Sequence, residues 1–101
     1  MVEIVFEEAG ERYYLAMYGH AGYNPGNDVV CAGVSAIVYA LAGYIANSDG
    51  LKVNAEKCEP GEAEFDVEGD ARQAFEMAYI GLAQISQEYP DNVQVTNFSQ
   101  S

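Results

Sequence analysis

From residue 29 to residue 46 the chain carries no charged side chain, a stretch long enough for either a membrane span or a core helix. Whatever covers these residues governs the fold. Composition separates the two cases. Ala32, Gly33, Ser35, Ala36, Tyr39, Ala40, Ala42, Gly43 and Tyr44 contribute little transfer energy, and the flanking Asp28 and Asp49 supply no basic residue to set an orientation. The expectation is a helix buried in a soluble core. Val30, Val34, Ile37, Val38, Leu41 and Ile45 form its broad apolar face. Ala32, Ala36, Ala40 and Gly43 form a small-residue stripe able to pack closely on a sheet or a partner. Asn27 or Asp28 is expected to cap its start, and Asn47-Ser48-Asp49-Gly50 to stop it.

On both sides of this helix the apolar period is two. Val2, Ile4 and Phe6 oppose Glu3, Val5 and Glu7. After the turn Ala9-Gly10-Glu11, Tyr13, Leu15 and Met17 oppose Tyr14, Ala16 and Tyr18. These read as two strands paired in a hairpin. Leu51 to Cys58 reads as a third strand with weaker alternation. Beyond the turn Glu59-Pro60-Gly61-Glu62, a fourth strand sets Ala63, Phe65 and Val67 against the acidic Glu64, Asp66 and Glu68. Asp70 with Gln73 resembles a capping box. It precedes a second helix marked by Ala71, Ala74, Phe75, Ala78, Leu82 and Ile85 and ended at Tyr89-Pro90. Val93 and Val95 suggest a last short strand, and Asn97 to Ser101 a frayed tail. The predicted order ββαββαβ describes one small α+β domain over residues 1–101, a mixed sheet packed with two helices on one face. The 101 residues allow a single modest core.

Sixteen acidic residues against 4 basic ones leave a formal charge of −12. That field disfavours direct contact with nucleic acid or an anionic membrane and favours a basic partner, although acidity also serves solubility. Two cysteines are too few for a disulfide framework, and Met1-Val2-Glu3 opens a strand rather than a basic leader. A reducing, cytoplasmic setting is expected. One histidine and two scattered cysteines give no zinc signature, and no Gly-rich turn leads into Lys-Ser or Lys-Thr. No metal or cofactor is expected.

The chemistry concentrates between Gly19 and Ser35. His20 is the only histidine, and Cys31 lies in the first turn of the long helix. Between them Gly22, Asn24, Pro25, Gly26 and Asn27 read as a flexible loop. Unpaired N–H groups and peptide dipoles at a helix start stabilise an anion, so a thiol there is favoured as thiolate. An imidazole alongside adds a general base and acid, and the same N–H groups can receive an oxyanion, which makes acyl transfer feasible. Other readings stay open on the residues alone. A cysteine in an apolar helix also serves as simple packing, and a loop histidine as a structural group. Asp28 can cap the helix or orient His20. Ser35 can donate toward the site or bond back to its own helix. Cys58, beside Glu59 and Pro60 without an imidazole or helix start, reads as a bystander.

Three segments, Gly19-His20-Ala21-Gly22-Tyr23, Asp28-Val29-Val30-Cys31-Ala32 and Val34-Ser35-Ala36, together resemble the signature of the ribosomal-processing cysteine protease family Prp. The resemblance implies a small α+β homodimer with a mobile loop between His and Cys. It implies a bacterial enzyme that removes an N-terminal extension, ending in aromatic residues, from a large-subunit ribosomal protein. Cys31 would then be the nucleophile and His20 the general base and acid, with Gly19, Asp28 and Ser35 supporting them. The competing reading is a non-enzymatic acidic ribosome- or protein-binding module with Cys31 unreactive. A thiol redox role lacks both a Cys-x-x-Cys and a resolving cysteine.

Overall fold

In the computed structural model, which describes residues 1–24 and 28–98, seven elements follow the expected order. They are β1 (Val2–Ala9), β2 (Arg12–Tyr18), α1 (Val29–Ala46), β3 (Lys52–Glu59), β4 (Glu62–Glu68), α2 (Arg72–Glu88) and β5 (Val93–Asn97). The strands form one mixed sheet in the order β3-β4-β2-β1-β5. β1 and β5 run parallel, and the other neighbours are antiparallel.

Alternation along β1, β2 and β4 decides which face is covered. Val2, Ile4, Phe6, Tyr13, Leu15, Met17, Ala63, Phe65 and Val67 are all buried, in one core with both helices. Val30, Val34, Val38, Leu41 and Ile45 come from α1, and Phe75, Ala78 and Leu82 from α2. Across the core Tyr13 stacks on Phe75 with ring centroids 5.5 Å apart, and Phe6 lies 4.9 Å from Tyr79. The helices approach closely where Gly81 faces Ile37. A side-chain carbon at Gly81 would come within 2.9 Å of Ile37 Cδ1.

Several expectations change in detail. α1 has the length and composition of a membrane span, but it is not buried all round. One face lies on the sheet, while Ala32, Ala36, Ala40 and Gly43 are exposed. The small-residue stripe therefore does not pack on the sheet. Asp28 is the N-cap of α1, and Asn27 lies outside the described residues. Asp70 and Gln73 form no capping box. α2 is capped at Ala71 without a side-chain hydrogen bond, because Ala71 is drawn into the core at 1% exposure and its N–H bonds the Gly69 carbonyl instead. The weak alternation of the third strand has two causes: β3 is an edge strand, and its register shifts between Val53 and Ala55. The C-terminal segment is held further than expected. Asn97 belongs to β5 and the Phe98 N–H bonds Phe6 O, whereas 99–101 lie outside the described residues.

Phe65, fully buried on a central strand, should cost about 3–5 kcal/mol when truncated to Ala. Gln87→Ala on an exposed turn of α2 should change stability by no more than about 0.5 kcal/mol. Urea denaturation at constant m-value checks the pair, and equal losses would contradict this account of the core.

Candidate active site

The end of β2 delivers the first half of the site. Gly19 takes φ +98, and a side-chain carbon there would strike the Met1 carbonyl oxygen. Only glycine fits both constraints. The Gly19 N–H donates to Gly61 O at 2.8 Å, tying this point to the turn between β3 and β4. His20 follows with its ring exposed, and then Ala21 turns inward and is buried. Ala21 is held at both backbone groups. Its carbonyl accepts from Asn92 Nδ2 at 2.9 Å, and its N–H donates to Cys31 Sγ at 3.3 Å.

The second half is the first turn of α1. Asp28 takes an extended conformation, and its Oδ1 accepts from the Cys31 N–H at 2.9 Å. Its Oδ2 accepts from the Tyr23 N–H at 2.9 Å, and the Tyr23 ring meets Tyr89 edge-on at 5.2 Å. The Cys31 N–H first, and the Tyr23 N–H after it, hold the Asp28 carboxyl below the usual carboxylate range. A lowered folded-state pKa means that this contribution is complete above the ordinary value of 3.8 and fades as acidification passes the folded value. Of the two roles open to Asp28, capping is the one the geometry carries. The cap also occupies the Cys31 amide, which the sequence suggested as an oxyanion donor.

A cleft of about 160 Å³ joins these pieces; Gly19, His20, Cys31, Ser35, Pro60 and Gly61 line it. Cys31 and His20 thus share one cavity, and Ser35 stands one helical turn beyond the thiol. Among the described residues no hydrogen bond joins the imidazole to Sγ; the thiol's partner is the Ala21 N–H. Gly22 and Asn24 are exposed beside the cleft, while Pro25, Gly26 and Asn27 lie outside the described residues. Among those described, no cluster of His, Cys, Asp and Glu is arranged to hold a metal ion. Cys58 does not line the cleft; it lies near the end of β3, opposite Ala63. Burial, helped by Glu56, raises the pKa of its thiol. Two contributors were invisible in the sequence: Asn92, and the Pro60-Gly61 turn, which had read only as a turn. Each reaches the site across the sheet, where no local pattern marks it.

A half-buried thiol at a helix start, receiving a backbone N–H and sharing a cleft with the chain's single imidazole, places this small α+β domain among thiol-dependent hydrolases. The family model described as cysteine protease Prp matches residues 1–94, and the chain belongs to that family. The fold agrees. The ribosomal processing protease Prp of S. aureus, solved with a covalently linked product peptide, superposes with a TM-score of 0.82 at 21% identity. That match covers 96% of this chain and 99% of the other. A Streptococcus mutans protein gives a TM-score of 0.74 at 20% identity over 99% of this chain and 96% of its own. The S. aureus enzyme with a substrate peptide gives 0.73 at 20% identity, again over 96% and 99%. No curated protein matches the chain significantly.

The contrast between the two thiols is measurable. Brief iodoacetamide treatment of the folded protein at neutral pH should label Cys31 well ahead of Cys58, and Cys58 labelling should climb only in alkaline solution, as its raised pKa requires. Peptide mass mapping reads both rates; equal labelling would contradict an activated Cys31.

Proposed function

We propose that this protein is an endopeptidase that removes the N-terminal extension of a bacterial large-subunit ribosomal protein, with Cys31 as nucleophile and His20 as general base and acid. The observation that carries the reading is the Ala21 N–H aimed at Cys31 Sγ at 3.3 Å in a cleft shared with His20. His20 takes the thiol proton as Sγ bonds to the scissile carbonyl carbon, and the carbonyl electrons move onto oxygen. The Ala21 N–H, free to leave sulfur at that moment, can donate to the new oxyanion. Collapse breaks the C–N bond, His20 returns the proton to the departing amine, and water then hydrolyses the thioester to regenerate the thiol. Gly19 and Asp28 serve by fixing the two backbone segments, and Ser35 by lining the cleft. Imidazole and thiol, unbonded to each other in the free protein, come together as substrate fills the cleft. The ribosomal substrate is supported by the likeness to an S. aureus protease of that description, solved with a substrate peptide.

Charge fits a basic substrate. Each of the 4 basic side chains is already ion-paired, Arg12 with Asp66, Lys52 with Glu68, Lys57 with Glu62 and Arg72 with Glu76. The surplus acids are thus left to set the external field. Free thiols at both cysteines suit the cytoplasm. A second copy of the chain is the partner we assign to the exposed apolar groove between α1 and α2, about 400 Å³ and lined by Ala36, Ala40, Tyr44, Met77 and Gly81. Light scattering tests that assignment, with a monomer at all concentrations as the contrary result.

Cleavage of the extended ribosomal protein should be abolished in Cys31→Ala and in His20→Ala while helical circular dichroism persists. Full activity in either variant would defeat the dyad, and an inactive wild type that still binds the ribosomal protein would favour the binding-module reading. Raising salt from low to physiological strength should cut the second-order rate on the full-length basic substrate several-fold, because the Debye length falls to about 8 Å. A short neutral peptide spanning the same bond should keep its rate. Equal losses for both substrates would remove any steering role for the acidity.

A further inference from the structure

The turn between β3 and β4 is a structural wall of the cleft as well as a chain reversal. Gly61 takes φ +76, and a side-chain carbon built on it would stand 2.8 Å from His20 Nε2 and 2.9 Å from Cε1. Real side-chain carbons do not come that close, so the imidazole occupies the very space that any residue larger than glycine would need. The turn itself is pinned. Its carbonyl accepts the Gly19 N–H at 2.8 Å, and the adjoining strand register sets Tyr18 opposite Glu62. Among the described residues no hydrogen bond holds the imidazole. The ring lies directly against Gly61 at one wall of the cleft.

We propose that Gly61 is a positioning residue for His20, its bare Cα serving as the seat that keeps the imidazole in the cleft with Cys31. The inference rests on the reading of His20 as general base and acid. A methyl group at 61 has two neighbours to push, a turn fixed by the sheet and an exposed ring free to rotate. The ring yields. The fold then survives while the base moves, and misplacement of a reacting group by about 1 Å can cost about 10²-fold in rate.

Any substitution at a positive φ also strains the backbone, and a matched control separates that effect. Gly10, in the β1–β2 turn, takes φ +62 with nothing within 4 Å of its missing side chain. Gly61→Ala and Gly10→Ala should lower Tm alike. Gly61→Ala should also reduce kcat about 10²-fold with KM little changed and displace the acid limb of the kcat/KM profile, whereas Gly10→Ala should keep the wild-type kcat. Because His20 is the only histidine, its ring protons give a single resolved set of NMR signals. In the wild type they should show cross-relaxation to the Gly61 Hα protons; they should shift in Gly61→Ala and stay put in Gly10→Ala. Equal kcat in the two variants, an unmoved ring signal in Gly61→Ala, or no wild-type cross-peak would overturn the proposal. The cross-peak needs no variant, so it decides even if Gly61→Ala fails to fold. Absence of cleavage by the wild type, or its survival in His20→Ala, would instead defeat the dyad, and the ring signals would still report whether Gly61 seats the imidazole.

Discussion

The row Phe6–Leu15–Phe65, running across β1, β2 and β4, is the contact on which the rest of the molecule depends. Leu15 and Phe65 are fully buried, and both lie under the helices. Slipping either pairing by one residue would turn a strand's apolar set to water and its acidic set to the core. Burial of one large apolar side chain is worth about 1.5–3 kcal/mol, so exposing Val2, Ile4 and Phe6 together would cost about 4.5–9 kcal/mol, comparable with the net stability of a small domain, about 5–15 kcal/mol. Register is thereby fixed, and with it the site. Tyr18 falls opposite Glu62, Gly19 beside Gly61, and His20 over the turn.

The candidate-site segments are held by polar contacts as well as by the core packing of Ala21, Val30 and Val34. A single carboxylate, Asp28, caps the helix bearing Cys31 and binds the Tyr23 amide, joining the two segments that carry Tyr23 and Cys31. Asn92 does the same for Ala21 from the far edge of the sheet. This division suits a hydrolase. The sheet and helices supply the frame, while Ala21, Tyr23 and Cys31 are tied to it by hydrogen bonds individually worth about 0.5–1.5 kcal/mol.

The uncovered face of the sheet follows a different logic. Tyr14 donates to Glu64, Arg12 forms a forked pair with Asp66, and Asn54 reaches both Asp66 and Glu68. Burial, reinforced by the bond to Glu64, raises the pKa of the Tyr14 hydroxyl. Exposed pairs of this kind contribute little stability. Their consequence is that the few cations are spent locally, and the long-range field stays negative.

Element order, the one-sided sheet, the α1 cap and the joint His20 and Cys31 motif were all determined by the sequence itself. Each rests on local periodicity, on cap chemistry or on a short motif, and those signals act over a few neighbouring residues. Asp28 was legible as a cap for the same reason, although the double use of its carboxylate was not. The tertiary structure decided the remainder. Ala71 displaced Asp70 at the start of α2 because core burial outweighs a surface hydrogen bond. The small-residue stripe of α1 faces outward because its larger residues claimed the sheet. Asn92 and Gly61 entered the site because strand pairing brings residues far apart in the chain within contact, and nothing in the residues around Gly61 distinguishes it from any other turn glycine. A sequence carries the preferences of its segments, but which segments meet is set only when the sheet closes and its register is chosen by burial.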